Sequence, residues 1–220
     1  RCCHVYKTLL NGAIRLSPKL RITLLTSIGL LALVLGYLVA AITRPSPPSN
    51  QTVQTLALDG RFNLIDEIGQ PVTQDSYLGR FKLVYFGFTY CPDVCPMQLE
   101  VVSRALDIAN ISPEKLMTLF ITLDPERDTA EDLAIYTDNF HENITGLTGS
   151  VSQIQQAAKA YKVYFQKFAD AETTGGYTVD HSSIVFLMGP DNNYRQHFTY
   201  RDSAEDIAGK ITSIIEVAQN

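Results

Sequence analysis

The chain has 220 residues, 45% of them hydrophobic and 10% aromatic, enough for one globular core with accessories. Its formal charge of −5 hides an asymmetry. Residues 1–44 hold Arg1, Lys7, Arg15, Lys19, Arg21 and Arg44 and no acid, a local +6. The other 12 basic residues face all 23 acidic ones, so residues 45–220 carry −11. A domain this acidic repels phosphate backbones, which argues against nucleic acid as a partner.

The first element is a basic arm, residues 1–21, expected on the cytoplasmic side. Ile22 to Ile42 follows without a single charge. As a helix its 21 residues would be about 31 Å long, close to the roughly 30 Å of bilayer hydrocarbon. Five cationic residues precede it, so the positive-inside bias puts the large domain across the membrane. Val39-Ala40-Ala41 would be a passable cleavage site for a signal peptide, but the apolar run exceeds the roughly 7–15 residues of a signal core. An uncleaved anchor over 22–42 is the expectation, and no Cys follows the run to make a lipoprotein. The arm lacks a long Arg- and Ser-rich transit segment, which favours a bacterial inner membrane with the domain in the periplasm. The mitochondrial inner membrane is the alternative. Cys2 and Cys3 would lie on the opposite side from Cys91 and Cys95 and receive no role.

Residues 43–53, with Pro45, Pro47 and Pro48, read as an extended linker. From 54 to 220, helix-like and strand-like segments alternate. Thr55–Leu58 and Phe62–Ile65 read as short strands around the Asp59-Gly60 turn. Phe81–Phe88 is nearly all apolar, as in a strand covered on both faces. Pro96–Ala109 spaces Leu99, Val102, Leu106 and Ala109 by threes and fours, an amphipathic helix ending near Asn110. Met117–Leu123 is a strand, Thr129–Phe140 a helix, and Val151–Ala160 a helix introduced by Ser150. Lys162–Phe168 is a half-buried strand, and Ser183–Met188 turns through Gly189–Asn193 into Tyr194–Phe198. Ser203–Ala218 closes as a helix, Ser203 capping with Asp206. The order fits an α/β fold, a mixed sheet with helices on both faces, compatible with a thioredoxin-like arrangement.

Cys91-Pro-Asp-Val-Cys95 leaves the central strand at its C-terminal edge, where open α/β sheets bind ligands. Pro96 suits a first helical position, which makes Cys95 the expected N-cap and puts both sulfurs near a helix N-terminus that favours thiolate. A Cys-x3-Cys pair alone is as readily a structural disulfide. A staple over so small a loop removes little chain entropy, however, and His181 lies just before a strand that could reach the same edge. Two thiolates and an imidazole suit copper, Cu(I) or Cu(II), without excluding zinc. His141 and His197 are read as ordinary polar residues. Asp124 could approach the site as an outer hydrogen-bond acceptor or serve as a turn residue before Pro125. Asp180 could orient His181, although strand neighbours point apart.

Three segments, Val84–Pro96, Leu123–Thr129 and Val179–Ser183, together resemble the signature motifs of the Sco/SenC copper chaperones, in order and spacing over about residues 54–217. Members are typically anchored by one N-terminal helix. The resemblance implies a thioredoxin-like fold that binds copper, with Cys91, Cys95 and His181 as ligands. It also implies copper delivery to, or reduction of the cysteines of, the CuA centre of cytochrome c oxidase subunit II, after receipt from a copper donor protein. Tyr90 departs from the His of many members, at a position that is not a family ligand. The competing function is a thiol–disulfide oxidoreductase in which the redox pair attacks through Cys91 and resolves through Cys95. That reading gives His181 no work. An inert Cys91–Cys95 disulfide in a binding module is the third reading.

Overall fold

The computed structural model describes residues 17–42, 58–171, 173 and 175–218. Cys2, Cys3, the 43–53 linker and all but Leu58 of the strand expected at Thr55–Leu58 lie outside them, and Leu58 itself is not in a strand. The chain divides into two compact units, 1–54 and 55–220.

In the first unit, α1 runs Pro18–Ile42 and begins four residues before the expected Ile22. Its described apolar side chains are largely exposed, Leu33 at 74%. Among the described residues, no helix is long and apolar enough to cross a membrane. The anchor expectation rests on the sequence run 22–42 alone.

The second unit is a thioredoxin-like mixed α/β fold. Its strands are β1 (Asn63–Asp66), β2 (Pro71–Thr73), β3 (Phe81–Gly87), β4 (Leu116–Thr122), β5 (Ile144–Thr148), β6 (Phe165–Ala169), β7 (Tyr177–His181), β8 (Ile184–Met188) and β9 (Tyr194–Thr199). Seven of them form one sheet in the order β2-β1-β5-β4-β3-β8-β9, and β6 pairs with β7 apart from it. β3, β4 and β5 are parallel neighbours, and β8 runs antiparallel to β3. All seven residues of β3 and of β4 are buried, which their near-continuous apolar sequence requires.

The helices are α2 (Val94–Ala109), α3 (Ala130–Thr137), α4 (Val151–Ala160) and α5 (Ala204–Ala218). Consecutive residues of β3 show the layering. Gly87 faces Cys95 at the start of α2, whereas the Phe86 ring meets Tyr161, the residue after α4, with centroids 5.3 Å apart. Short polar signals set the helix starts. Thr129 with Asp132, and Ser150 with Gln153, form reciprocal capping boxes, and Ser203 exchanges the same bonds with Asp206. Asn110 closes α2 in the left-handed conformation at φ 47°.

One boundary corrects the sequence reading in a way that matters for the site. The N-cap of α2 is Asp93, not Cys95, and Asp93 makes no side-chain cap bond. The first four N–H groups of any helix lack an intrahelical partner, so Pro96 fits the third position as well as the first. Cys95 is therefore already inside the first turn.

Candidate functional site

The exits of β3 and β4 lie side by side, Gly87 in register with Thr122. The Leu123 amide donates to the Gly87 carbonyl at 2.7 Å, so the loop carrying Cys91 runs beside the Leu123–Thr129 segment. On the other flank, β8 pairs Val185 with Tyr85. His181 ends β7 only three residues before β8 begins, and this short link brings it to the same edge.

Cys91 is half-buried and Cys95 fully buried, both free thiols. The Cys95 amide donates to Cys91 Sγ at 3.3 Å. Cys95 Sγ sits 3.5 Å from His181 Nε2, while His181 Nδ1 lies 3.3 Å from the Ser182 carbonyl oxygen. That carbonyl can only accept, so Nδ1 carries the ring proton and Nε2 turns its lone pair toward the sulfur. Phe88 and Tyr85 hold the imidazole edge-on, with centroids 6.0 and 6.4 Å away. Gly87 makes room: a Cβ there would stand 2.9 Å from Cys95 Sγ and 2.7 Å from Phe120 Cε2. A pocket of about 310 Å³, lined by Phe88, Cys91, Pro92, Asp180 and His181 among others, opens onto the site.

The two thiols are electrostatically unequal. The hydrogen bond from the Cys95 thiol brings the Cys91 pKa down to about 5, against the effect of burial and with help from the Cys95, Asp93 and Val94 amides. The same pairing, followed by burial, pushes Cys95 upward and keeps it a thiol. Burial lowers the His181 pKa below its usual value, so the ring is neutral at pH 7, as a metal ligand must be. Two sulfurs and a neutral imidazole suit a soft metal ion. Among the described residues, no group of three or more His, Cys, Asp or Glu side chains already stands in metal-holding geometry.

Asp124 is fully buried and bonded elsewhere. Its carboxylate accepts from Arg127 Nε, from Lys167 Nζ at 2.7 Å and from the Tyr177 hydroxyl at 2.9 Å. Arg127 lies between the Tyr177 and Tyr90 rings, 3.8 and 4.6 Å from their centroids, so Tyr90 links the cysteine loop to this cluster. Asp180 is exposed at the pocket rim and raises the His181 pKa slightly against burial. His141 accepts from the Asn143 amide at 3.0 Å, and His197 Nδ1 is 2.6 Å from the Tyr194 hydroxyl; neither joins the site.

Sequence reasoning missed Asp128. Its buried carboxylate accepts from the Thr89 amide at 3.0 Å, from the Thr89 hydroxyl at 2.5 Å and from the Thr122 hydroxyl at 2.5 Å, tying the cysteine loop to the end of β4. The signal was available in Leu123–Thr129, whose second aspartate has no turn or cap to explain it.

A sequence profile described as SCO1/SenC matches residues 50–216. "Protein sco1" of Schizosaccharomyces pombe is 37% identical over 190 residues, covering 86% of this chain and 72% of its own length. The mitochondrial SCO1 homolog of Homo sapiens is 40% identical over 158 residues, 71% of this chain. That match takes in 52% of the human protein, so the chain spans about half its length. Arabidopsis thaliana ScoI, solved with copper bound, superposes with a TM-score of 0.68 at 34% identity over 74% of this chain and all of its own. Yeast Sco1 with copper bound gives 0.65 at 34% identity, over 73% of this chain and 89% of its own.

Proposed function

The chain belongs to the SCO1/SenC family, and on that premise we propose that it carries copper on Cys91, Cys95 and His181 and hands it to thiol ligands of a partner. The observation that carries the reading is Cys95 Sγ 3.5 Å from His181 Nε2, with Cys91 Sγ in the loop before α2 accepting from the Cys95 amide at 3.3 Å. Thiolates select Cu(I), and the imidazole extends the set toward Cu(II). Cys91 is half-exposed at the pocket, so a partner thiol approaching there would displace it first and pass the ion by ligand exchange. The acceptor we infer is the CuA site of cytochrome c oxidase subunit II, loaded after receipt from a copper donor protein. We read residues 22–42 as the anchor, with the acidic domain across the membrane from the basic arm. The relatives named mitochondrial favour the mitochondrial inner membrane over a bacterial one.

The test is copper titration of the reduced full chain in detergent, with Cys2→Ser and Cys3→Ser so that only Cys91 and Cys95 report. One copper per chain is expected, abolished by either further Cys→Ser change and weakened at least tenfold by His181→Ala. Unchanged affinity in His181→Ala would sink the three-ligand reading.

The inequality of the two thiols favours a second activity on the same residues. Cys91 thiolate would attack a partner disulfide and release one partner thiolate; Cys95 would then close the Cys91–Cys95 disulfide and release the other. The partner is reduced as this chain is oxidised. Restoration of partner thiols that survives His181→Ala but not Cys91→Ser marks this reductase role.

A further inference from the structure

The cysteine loop leaves β3 at Gly87 and enters α2 at Val94. Between them, the Thr89 amide and hydroxyl both donate to the Asp128 carboxylate, at 3.0 and 2.5 Å. That carboxylate also accepts from the Thr122 hydroxyl at 2.5 Å, and the Asp128 backbone carbonyl accepts from the Thr148 hydroxyl at 2.9 Å. One fully buried residue thus joins the ends of β4 and β5 to the loop, two residues before Cys91. The donors point one way. The Asp124 amide donates to Thr122 Oγ1 at 2.9 Å, which leaves the Thr122 proton for Asp128.

Burying a carboxylate among neutral hydroxyls and an amide costs more than burying a neutral side chain, so a plain tie between loop and sheet does not explain it. Rigidity does. A carboxylate can only accept, and it holds all three groups as donors at once. An amide side chain would offer one accepting oxygen and a donating nitrogen, which a hydroxyl would have to turn to meet. We propose that Asp128 is a positioning residue of the metal site: through Thr89 it fixes the loop, so that Cys91 stands where it can share an ion with Cys95 and His181. The inference rests on the copper reading above. None of these bonds goes to a ligand; Asp128 acts through the backbone that carries one. Groups behind metal ligands commonly change affinity by about 10–100-fold.

The test uses the full chain in the Cys2→Ser, Cys3→Ser background, with Thr89→Val, Asp128→Asn, Thr148→Val and His181→Ala. Thr89→Val cuts the clamp at the loop and keeps the side-chain shape, so it decides the question even if Asp128→Asn fails to fold. Thr148→Val is the control, since it removes a bond to the same residue that does not lead to the loop. Urea unfolding and hydrogen exchange over 88–91 are read on the metal-free forms. Cu(I) competition against a chromophoric chelator and the thiolate-to-Cu(II) absorption band are read on the loaded ones. Thr89→Val is expected to speed exchange over 88–91, to lower copper affinity about 10–100-fold and to shift the band. Thr148→Val is expected to lose urea stability and to match the parent in copper affinity and band. Parental copper affinity and band in Thr89→Val overturn the inference, as does an equal copper loss in Thr148→Val. If His181→Ala binds copper like the parent, the three-ligand reading itself falls; if it loses copper and Thr89→Val does not, this inference falls alone.

Discussion

Gly87 lets a buried sulfur reach the end of a central strand. An added Cβ would meet Cys95 Sγ and the Phe120 ring well inside contact distance, and both are fully buried. Gly87→Ala is expected to cost about 1–3 kcal/mol as an overpacked core position and to move Cys95 off His181. Thermal unfolding and the Cys95 alkylation rate measure the two effects, and a parental rate in a destabilised variant would separate packing from the site. Lys82, at the other end of β3, poses a different single-residue problem. Its side chain is 2% exposed, with Nζ held by Asn192 Oδ1 at 2.6 Å. Burial lowers its pKa from 10.5 to about 8, with Asp191 opposing. The folded value lies below the unfolded one, so the charged amine costs stability in full below pH 8, and the cost fades as pH rises toward 10.5. Urea unfolding from pH 7.5 to 10 should therefore show the parent gaining on Lys82→Met. Parallel curves would contradict it.

Among the elements, the β6–β7 hairpin has the least support of its own, being a two-stranded ribbon outside the main sheet. Asp124 is a hub for it: Lys167 from β6 and Tyr177 from β7 both reach Asp124, Lys167 also pairs with Glu126 at 2.5 Å, and Arg127 stacks on Tyr177. Because β7 carries His181, this ionic cluster fixes the imidazole from a distance. Asp124→Ala would remove the carboxylate shared by Arg127 and Lys167, costing roughly 2–3 kcal/mol, less than a fully buried pair because Lys167 is one-third exposed and keeps Glu126. Burial raises the Asp124 pKa, but the bonds from Lys167, Arg127 and Tyr177 outweigh it and hold the carboxyl below 3.8. Its contribution is thus complete above that pH and lost as pH falls through the depressed folded value. Hydrogen exchange across 165–181 should accelerate in Asp124→Ala at neutral pH, and unchanged protection would dissociate the cluster from the hairpin. The same elements mark the reach of the sequence. β3 and β4 declare themselves by continuous apolar runs, and α4 and α5 by Ser150 and Ser203 caps. β5 does not, because Gly146 interrupts Ile144–Thr148, where a Cβ would strike Leu133. β7 hides because Asp180 and His181 break its alternation and its pairing is with a hairpin partner. The Cys95–His181 meeting was legible only as a possibility from the position of His181 before a strand, and more firmly from the three motifs together, since it depends on β8 lying beside β3, a pairing between residues a hundred positions apart.

At the scale of the whole chain, charge and thiols are sorted along the sequence: a basic arm with Cys2 and Cys3, an uncharged run, then an acidic domain with Cys91 and Cys95. If 22–42 spans a bilayer with its basic flank inside, the two thiol pairs face different compartments. Each then meets a different reducing poise, and Cys91 and Cys95 depend on an external reductant to stay thiols. The consequence is measurable without metal. In sealed right-side-out vesicles or spheroplasts bearing the full chain, a membrane-impermeant maleimide should label Cys91 after mild reduction. Cys95 should resist until unfolding, and Cys2 and Cys3 should react only after permeabilisation. Alkaline carbonate should leave the chain in the pellet, and deletion of 22–42 should release it. Labelling of Cys2 and Cys3 without permeabilisation would reverse the orientation. Extraction of the intact chain by carbonate would remove the anchor, and with it the compartment assigned to the acidic domain.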